Sequence, residues 1–264
     1  MHFEKQGSGP PVVLVHGLGA YSFSWRDMIA SLKKNYTTYA LDLLGFGQSP
    51  APQDFPDTMI AQADAVCDFM RMQNLANPIL IGHSMGGGVS LRIAEKAGQN
   101  GQPSLKKLIL IAPVAYPPHQ SAPGSNPENL STLLSLPDFE LSQVSRRLVE
   151  QILERAYAKP SRITTQQIDG YAKGLSSRSQ LQAFLEHSSK LSEVAVPAAR
   201  LSGISVETLI IWGKQDPFLP LSDGKKLKDA LANASLAEID DCGHIPQEEQ
   251  PDETSRLVMT FLSV

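Results

Sequence analysis

Cysteine is scarce in this chain of 264 residues: only Cys67 and Cys242 occur, far apart and in no CxxC or metal-spaced cluster. That excludes a disulfide-stapled scaffold and a cysteine-based zinc module, and leaves two structural thiols suited to a reducing compartment. Long apolar runs are missing too. No stretch approaches the ~20 residues needed to span a bilayer, and the opening MHFEKQGSGPP lacks the apolar core of a secretion signal. The expected location is therefore cytoplasmic, with no membrane partner. Excess charge of either sign is absent as well, since 23 Lys+Arg against 27 Asp+Glu leave a net −4. Mild acidity of that size provides no electrostatic basis for holding nucleic acid. HExxH, GxGxxG and GK[ST] do not occur, so no metal or organic cofactor is expected.

What remains is a pattern of short β-branched runs alternating with helical stretches, the mark of a mostly parallel sheet in an α/β fold. Strands are expected at Val12–Val15, Thr37–Leu41, Ile79–Ile81, Leu108–Ile111, Thr208–Trp212 and Ser235–Ile239. Several are apolar throughout rather than alternating, as strands covered by helices on both faces should be. Helices are expected near Trp25–Lys33, Met59–Met72, Met85–Ala97, Ser222–Leu231 and Pro251–Leu262, with Gly98 placed to cap the third. The alternation stops between about Ala115 and Arg200. A Pro-rich loop, Tyr116–Asn129, leads there into helical patterns at Leu141–Tyr157, Thr164–Leu175 and Ser179–Leu191. A helical block between two strands of one sheet reads as an excursion over the strand ends. The chain then divides into a core segment 1–114, a helical cap 115–200 and a second core segment 201–264.

The strongest local signal is Gly82-His83-Ser84-Met85-Gly86, directly after one strand and directly before a helix. A serine exposed on a sharp strand-to-helix turn has a strained backbone, so its neighbours two residues away on each side must be small. At ~7 % glycine usage a bare G-x-S-x-G arises by chance in roughly one chain in ten of this length. The flanking strand and helix make it far more specific, and Ser84 is the expected nucleophile. A glycine-rich turn with a solvated serine is the bland alternative.

Acyl transfer also needs two N–H donors aimed at a developing oxyanion. One is expected from Met85. The other should come from the loop His16-Gly17-Leu18-Gly19 after the first strand, with Leu18 as donor. His16 itself reads as a satisfied loop histidine. In this fold logic the acid and then the base follow the serine, each at a strand end. Asp216 follows the strand at Thr208–Trp212 and His244 follows the strand at Ser235–Ile239. Asp240 and Asp241 compete for the acid role, but they lie on the same loop as His244 and are better suited to ending the strand. Cys242 has no base of its own and reads as packing.

HGLG (His16–Gly19), DLLGFGQS (Asp42–Ser49), GHSMGG (Gly82–Gly87), GKQDPFLP (Gly213–Pro220) and GHIPQEEQP (Gly243–Pro251) occur in the order and spacing of the α/β-hydrolase superfamily, which the chain resembles outside the inserted block. More narrowly it resembles the small capped branch containing carboxylesterases and meta-cleavage-product (C–C) hydrolases. The resemblance implies a helical cap between the sixth and seventh strands of the family's sheet, and a structural role for Asp42 and Gly45–Ser49. It also implies that the first antiparallel strand of the fold is missing from this short N-terminus. Relatives with epoxide hydrolase or dehalogenase chemistry place Asp where Ser84 stands. C–C hydrolases typically carry Asn before the nucleophile and Trp after the histidine, where this chain has His83 and Ile245.

The expected chemistry is cofactor-free hydrolysis of a neutral carboxylic ester of small to medium acyl chain through an acyl-enzyme. His83, Ile245 and Phe218 are expected beside the substrate, and Leu133, Leu134, Leu136, Phe139, Leu148, Ile152 and Leu153 are candidates for an apolar acyl pocket. C–C hydrolysis is the alternative, with Arg146, Arg147, Arg155 or Arg200 binding a substrate carboxylate. A non-enzymatic ligand receptor on the same fold is the third reading.

Overall fold

In the computed structural model, which describes all residues except 53, 57, 100, 101, 118–134, 136, 192–195 and 264, the apolar runs assemble into one seven-stranded sheet. The strands are β1 (Phe3–Gln6), β2 (Pro11–Val15), β3 (Thr37–Leu41), β4 (Ile79–His83), β5 (Lys107–Ile111), β6 (Thr208–Gly213) and β7 (Ala234–Ile239), in the spatial order β1-β3-β2-β4-β5-β6-β7. Every pairing is parallel except β1 with β3.

Within each run, successive side chains point to opposite faces. Val13, Val15, Leu80, Leu108, Leu110 and Ile210 join one core cluster; Val12, Leu14, Ile79, Ile81, Ile109 and Ile211 join the other. Two helices, α2 (Met59–Met72) and α3 (Met85–Lys96), cover the first face. The other face is covered by α1 (Arg26–Leu32), which follows the 3₁₀ turn Ser22–Trp25, together with the C-terminal helix Pro251–Ser263. Both faces are thus dry, which explains why the strands read as unbroken apolar runs.

An antiparallel strand is present where its loss was expected, yet the helical block follows the fifth strand rather than the sixth, so the sheet is one strand short of the expected count ahead of the block. β1 pairs antiparallel with β3, Phe3 opposite Leu41. Its residues, FEKQ, carry one apolar side chain and no alternation, because an edge strand exposes most of its surface. Tertiary contacts anchor it instead. Phe3 packs on Phe69 with ring centroids 5.0 Å apart, and the His2 N–H donates to Ser49 Oγ at 2.7 Å.

Between β5 and β6 come α4 (Asp138–Ala156), α5 (Thr165–Lys173), α6 (Arg178–Ser189) and the short α7 (Ala198–Leu201). Among the described residues of 115–200 no strand occurs. Both α5 and α6 start with a capping box: the Thr164 hydroxyl accepts from the Gln167 N–H, and Ser177 does the same for Gln180, while each glutamine reaches back. After β6 come α8 (Leu221–Ala230), then β7, the short α9 (Pro246–Glu249) and α10 (Pro251–Ser263).

Candidate active site

Ser84 sits between β4 and α3 with φ +52° and ψ −118°, a conformation that costs a non-glycine residue energy and persists only where its surroundings enforce it. The enforcement is visible. The Ser84 N–H donates to Ile111 O at 3.0 Å, and its carbonyl accepts from Gly88 at 3.1 Å and Val114 at 2.9 Å. A Cβ on Gly86 would stand 2.2 Å from Val15 O, and one on Gly82 would stand 2.3 Å from Ser90 Oγ. Only glycine lets the turn close against β2 and the first helical turn.

The loops after β6 and β7 bring in the other two groups. His244 Nδ1 lies 2.7 Å from Asp216 Oδ2, and His244 Nε2 lies 2.9 Å from Ser84 Oγ. An ionised carboxylate only accepts, so the proton belongs on Nδ1 and Nε2 is free to take the hydroxyl proton. The other oxygen, Asp216 Oδ1, accepts from the Phe218 N–H at 2.8 Å and the Leu219 N–H at 2.9 Å. Its side chain is fully buried, so the orientation is fixed by bonds to both oxygens.

The rival acids lie elsewhere. Asp240 pairs with Lys214 at 2.9 Å with its side chain 80 % exposed, and Asp241 pairs with Lys159 at the surface. Cys242 is buried and burial pushes its thiol up to about 12, so it supplies no thiolate near neutral pH.

Two further histidines flank the array, both neutral. His16 donates from Nδ1 to Gly17 O at 2.8 Å and accepts from the Leu43 N–H at 2.9 Å, and burial lowers its pKa to about 4. It pins the Gly17–Gly19 loop to the segment after β3. Asp42 anchors that segment, accepting from the Ser22 and Gln48 N–H groups, both at 2.8 Å. His83 donates from Nε2 to His244 O at 2.9 Å, and burial, reinforced by the neighbouring His244, lowers its pKa to about 3. Its Nδ1 is buried without a partner among the described residues.

A cavity of about 130 Å³ opens over Ser84. Leu18, His83, Phe218 and Ile245 line it, and Met85 opens α3 with an N–H that has no acceptor within the helix. Ile152 and Leu153 are in its wall, while Leu148 packs against the core instead. Leu133, Leu134 and Leu136, with the side chain of Phe139, lie outside the described residues. The sequence reading missed Tyr171, Phe184 and Leu175 in the wall. Val149 and Ala156 also line the cavity, and for these two the signal was their spacing with Ile152 and Leu153 on α4, a helical stripe facing one way. Of the four candidate arginines, Arg155 lines the cavity, its guanidinium 5.2 Å from the Phe218 ring. Phe218 in turn meets the His244 ring edge-on at 5.3 Å. Arg146 pairs with Asp169 at 3.0 Å and Arg200 with Glu95 at 2.8 Å.

The wall at Tyr171 is apolar for a reason found behind it. The Tyr171 hydroxyl donates to Glu248 Oε1, away from the cavity. Glu248 Oε2 accepts from Arg26 at 2.8 Å and from Gln167 Nε2 at 3.3 Å. Burial raises the Glu248 carboxyl above its usual range against the pull of Arg26, and keeps the Tyr171 phenol protonated.

A parallel sheet presenting a serine on a strained strand-to-helix turn, with histidine and aspartate supplied by the last two strand ends, defines the architecture of an α/β hydrolase. The chain belongs to that family: the model of the alpha/beta hydrolase fold matches residues 10–251. It is 29 % identical over 99 % of its length to the uncharacterized hydrolase YugF of Bacillus subtilis, covering 92 % of that protein. It is 28 % identical to a 2-hydroxy-6-oxo-6-phenylhexa-2,4-dienoate hydrolase of Comamonas testosteroni, covering 99 % of this chain and 91 % of the relative. An esterase from Exiguobacterium antarcticum shares the fold with a TM-score of 0.80 at 22 % identity, covering 100 % of this chain and 95 % of its own. Among the described residues no group of three or more His, Cys, Asp or Glu could hold a metal ion, and no helix is long and apolar enough to cross a membrane.

Proposed function

We propose that this α/β hydrolase cleaves carboxylic esters of small to medium acyl chains through an acyl-enzyme on Ser84. The observation that carries the reading is the chain of contacts Ser84–His244–Asp216 at 2.9 and 2.7 Å, opening on a mainly apolar cavity. His244 Nε2 takes the Ser84 proton as the hydroxyl attacks the acyl carbonyl, and Asp216 stabilises the imidazolium that forms. The N–H groups of Leu18 and Met85 receive the oxyanion. Histidine then returns its proton to the leaving alcohol, and the same base activates water to release the acid. Apolar side chains of α4 and α6, such as Leu153 and Phe184, take the acyl chain. Residues 115–200 act as a cap that keeps bulk water from the acyl-enzyme. No cofactor enters the reaction, and the partner is a small ester rather than nucleic acid.

Arg155 in the cavity wall and the dienoate hydrolase among the relatives favour a second reading, C–C hydrolysis of a vinylogous diketone bearing a carboxylate. Against it stand His83 and Ile245, where that branch carries Asn and Trp. Steady-state kinetics decides between the two. kcat/KM for p-nitrophenyl butyrate should exceed that for a phenyl-substituted meta-cleavage dienoate. A dienoate preference of tenfold or more, about 1.4 kcal/mol of transition-state stabilisation, would replace the esterase reading. Tight binding of either compound without turnover would instead mark a receptor.

A further inference from the structure

The loop carrying His244 is only partly held by the sheet. Up to Cys242 it is tied to the end of β6: the Gln215 N–H donates to Cys242 O at 2.9 Å, and the Cys242 N–H returns to Gln215 Oε1 at 3.0 Å. The next two amides turn to other partners. The Gly243 N–H donates to Glu249 Oε2 at 2.6 Å, and the His244 N–H donates to Ala156 O at 2.7 Å, the last residue of α4. Glu249 also faces the helical block. Its carboxylate accepts from the Ala158 N–H at 3.1 Å, the Lys159 N–H at 2.8 Å and the Arg162 guanidinium at 3.4 Å, and its side chain is fully buried. The two segments touch so closely that a Cβ on Gly243 would stand 2.1 Å from Ala156 O.

We propose that Glu249 is a positioning residue for His244, and that residues 156–159 of the helical block form the other half of the same mount. One buried carboxylate joins three backbone N–H groups from two segments remote in sequence. Removing its charge leaves those donors poorly satisfied, and they would seek partners by moving. The imidazole moves with them. A displacement of about 1 Å between a base and its nucleophile costs on the order of 10²-fold in rate. The effect falls on kcat rather than KM, because neither Gly243 nor Glu249 lines the cavity. It follows that docking of the α4 end and completion of the base are one event, and that any motion admitting substrate takes place at another edge of the block.

The inference rests on His244 acting as base to Ser84, so its test reads both. Fluorophosphonate labelling of Ser84, steady-state kinetics and the low-field NMR resonance of the His244–Asp216 proton are compared in wild type, Glu249→Gln and Asp241→Asn. Asp241 serves as control because its side chain meets the block through an exposed pair with Lys159, while its carbonyl, which accepts from Arg162 at 2.7 Å, is untouched by the substitution. Glu249→Gln should lower labelling rate and kcat at least ~10-fold, keep KM within ~2-fold, and broaden the low-field resonance. Asp241→Asn should leave all three at wild-type values. A labelled wild type beside an equally labelled Glu249→Gln overturns the mount alone. An unlabelled wild type overturns the serine-hydrolase reading and the mount with it. Should Glu249→Gln not fold, hydrogen exchange on the wild type decides. The amides of Gly243, His244, Ala158 and Lys159 should show protection factors within about tenfold of one another, as members of one cooperative unit. A wider gap overturns the proposal.

Discussion

The sheet and the helical block above it are held by different forces. In the sheet, β2, β4 and β5 are buried along nearly their whole length, and each face is filled by aliphatic side chains from neighbouring strands. The block meets the core through an apolar cavity wall and a set of long-range polar bonds. The Tyr21 hydroxyl donates to Gly170 O at 2.8 Å, Gln180 Nε2 to Gly47 O at 2.8 Å, and Gln62 Nε2 to His187 Nε2 at 3.2 Å. Apolar burial is strong but carries no direction, so by itself it would let the block settle in many ways. Directed bonds between buried groups choose one seat, and the two capping-box glutamines, Gln167 and Gln180, each supply one.

The largest expected effects lie where the sheet presents its chemistry. Ser84→Ala should abolish turnover and fluorophosphonate labelling with an unchanged circular dichroism spectrum. Asp216→Asn should lower kcat by about 10⁴ with little change in binding, the loss expected when the imidazole takes the wrong tautomer. Labelling that survives Ser84→Ala would remove this serine from the mechanism. Next comes the elbow: Gly86→Ala places a methyl 2.2 Å from Val15 O, and should cost several kcal/mol of stability or prevent folding, as thermal melting would register.

Breaking the seat of the block should cost less. Arg26→Met leaves Glu248 buried without its cation and should destabilise by about 3 kcal/mol in urea unfolding, since an uncompensated buried charge is expensive. A loss below about 0.5 kcal/mol would mean that the Tyr171 and Gln167 donors hold Glu248 in place without the cation.

Acid should act on sheet and block together. The unfolded chain takes a proton on each imidazole as pH falls through about 6.5. The folded chain withholds protons from His16 until about pH 4 and from His83 until about pH 3, and His187 in the block is lowered in the same direction. Over that window the unfolded state binds more protons, so stability falls as pH falls, by up to about 1.4 kcal/mol per pH unit for each group. Urea midpoints measured from pH 7 to 4 should decline accordingly, and a flat profile would show that these imidazoles are charged in the native state. The smallest effect belongs to Asp240→Asn, which should change stability by less than about 0.5 kcal/mol and leave kcat intact, because its pair with Lys214 is exposed.

Legibility in the sequence followed the range of the interaction. β3 and α2 have the bounds expected from their patterns, Thr37–Leu41 and Met59–Met72, because apolar periodicity is local. The elbow was equally readable, since Gly82 and Gly86 answer a steric demand within a few residues of Ser84. β1 was not, because an edge strand needs no alternation and Phe3 gains its partners from β3 and α2. The short α9 also escaped notice. Its PQEE looks like solvated surface, yet Glu248 and Glu249 are buried against the block.

The sequence by itself determined the parallel sheet, the serine at its strained turn, and the placing of an aspartate and then a histidine on later strand ends, since each depends on patterns a few residues long. Only the tertiary structure decided how the site is mounted. It alone put His83 Nε2 on the His244 carbonyl, turned the Tyr171 hydroxyl out of the cavity, and set two adjacent glutamates beneath the block. Those outcomes depend on which distant segments meet and on where a buried charge finds its donors, and no local pattern of residues encodes either.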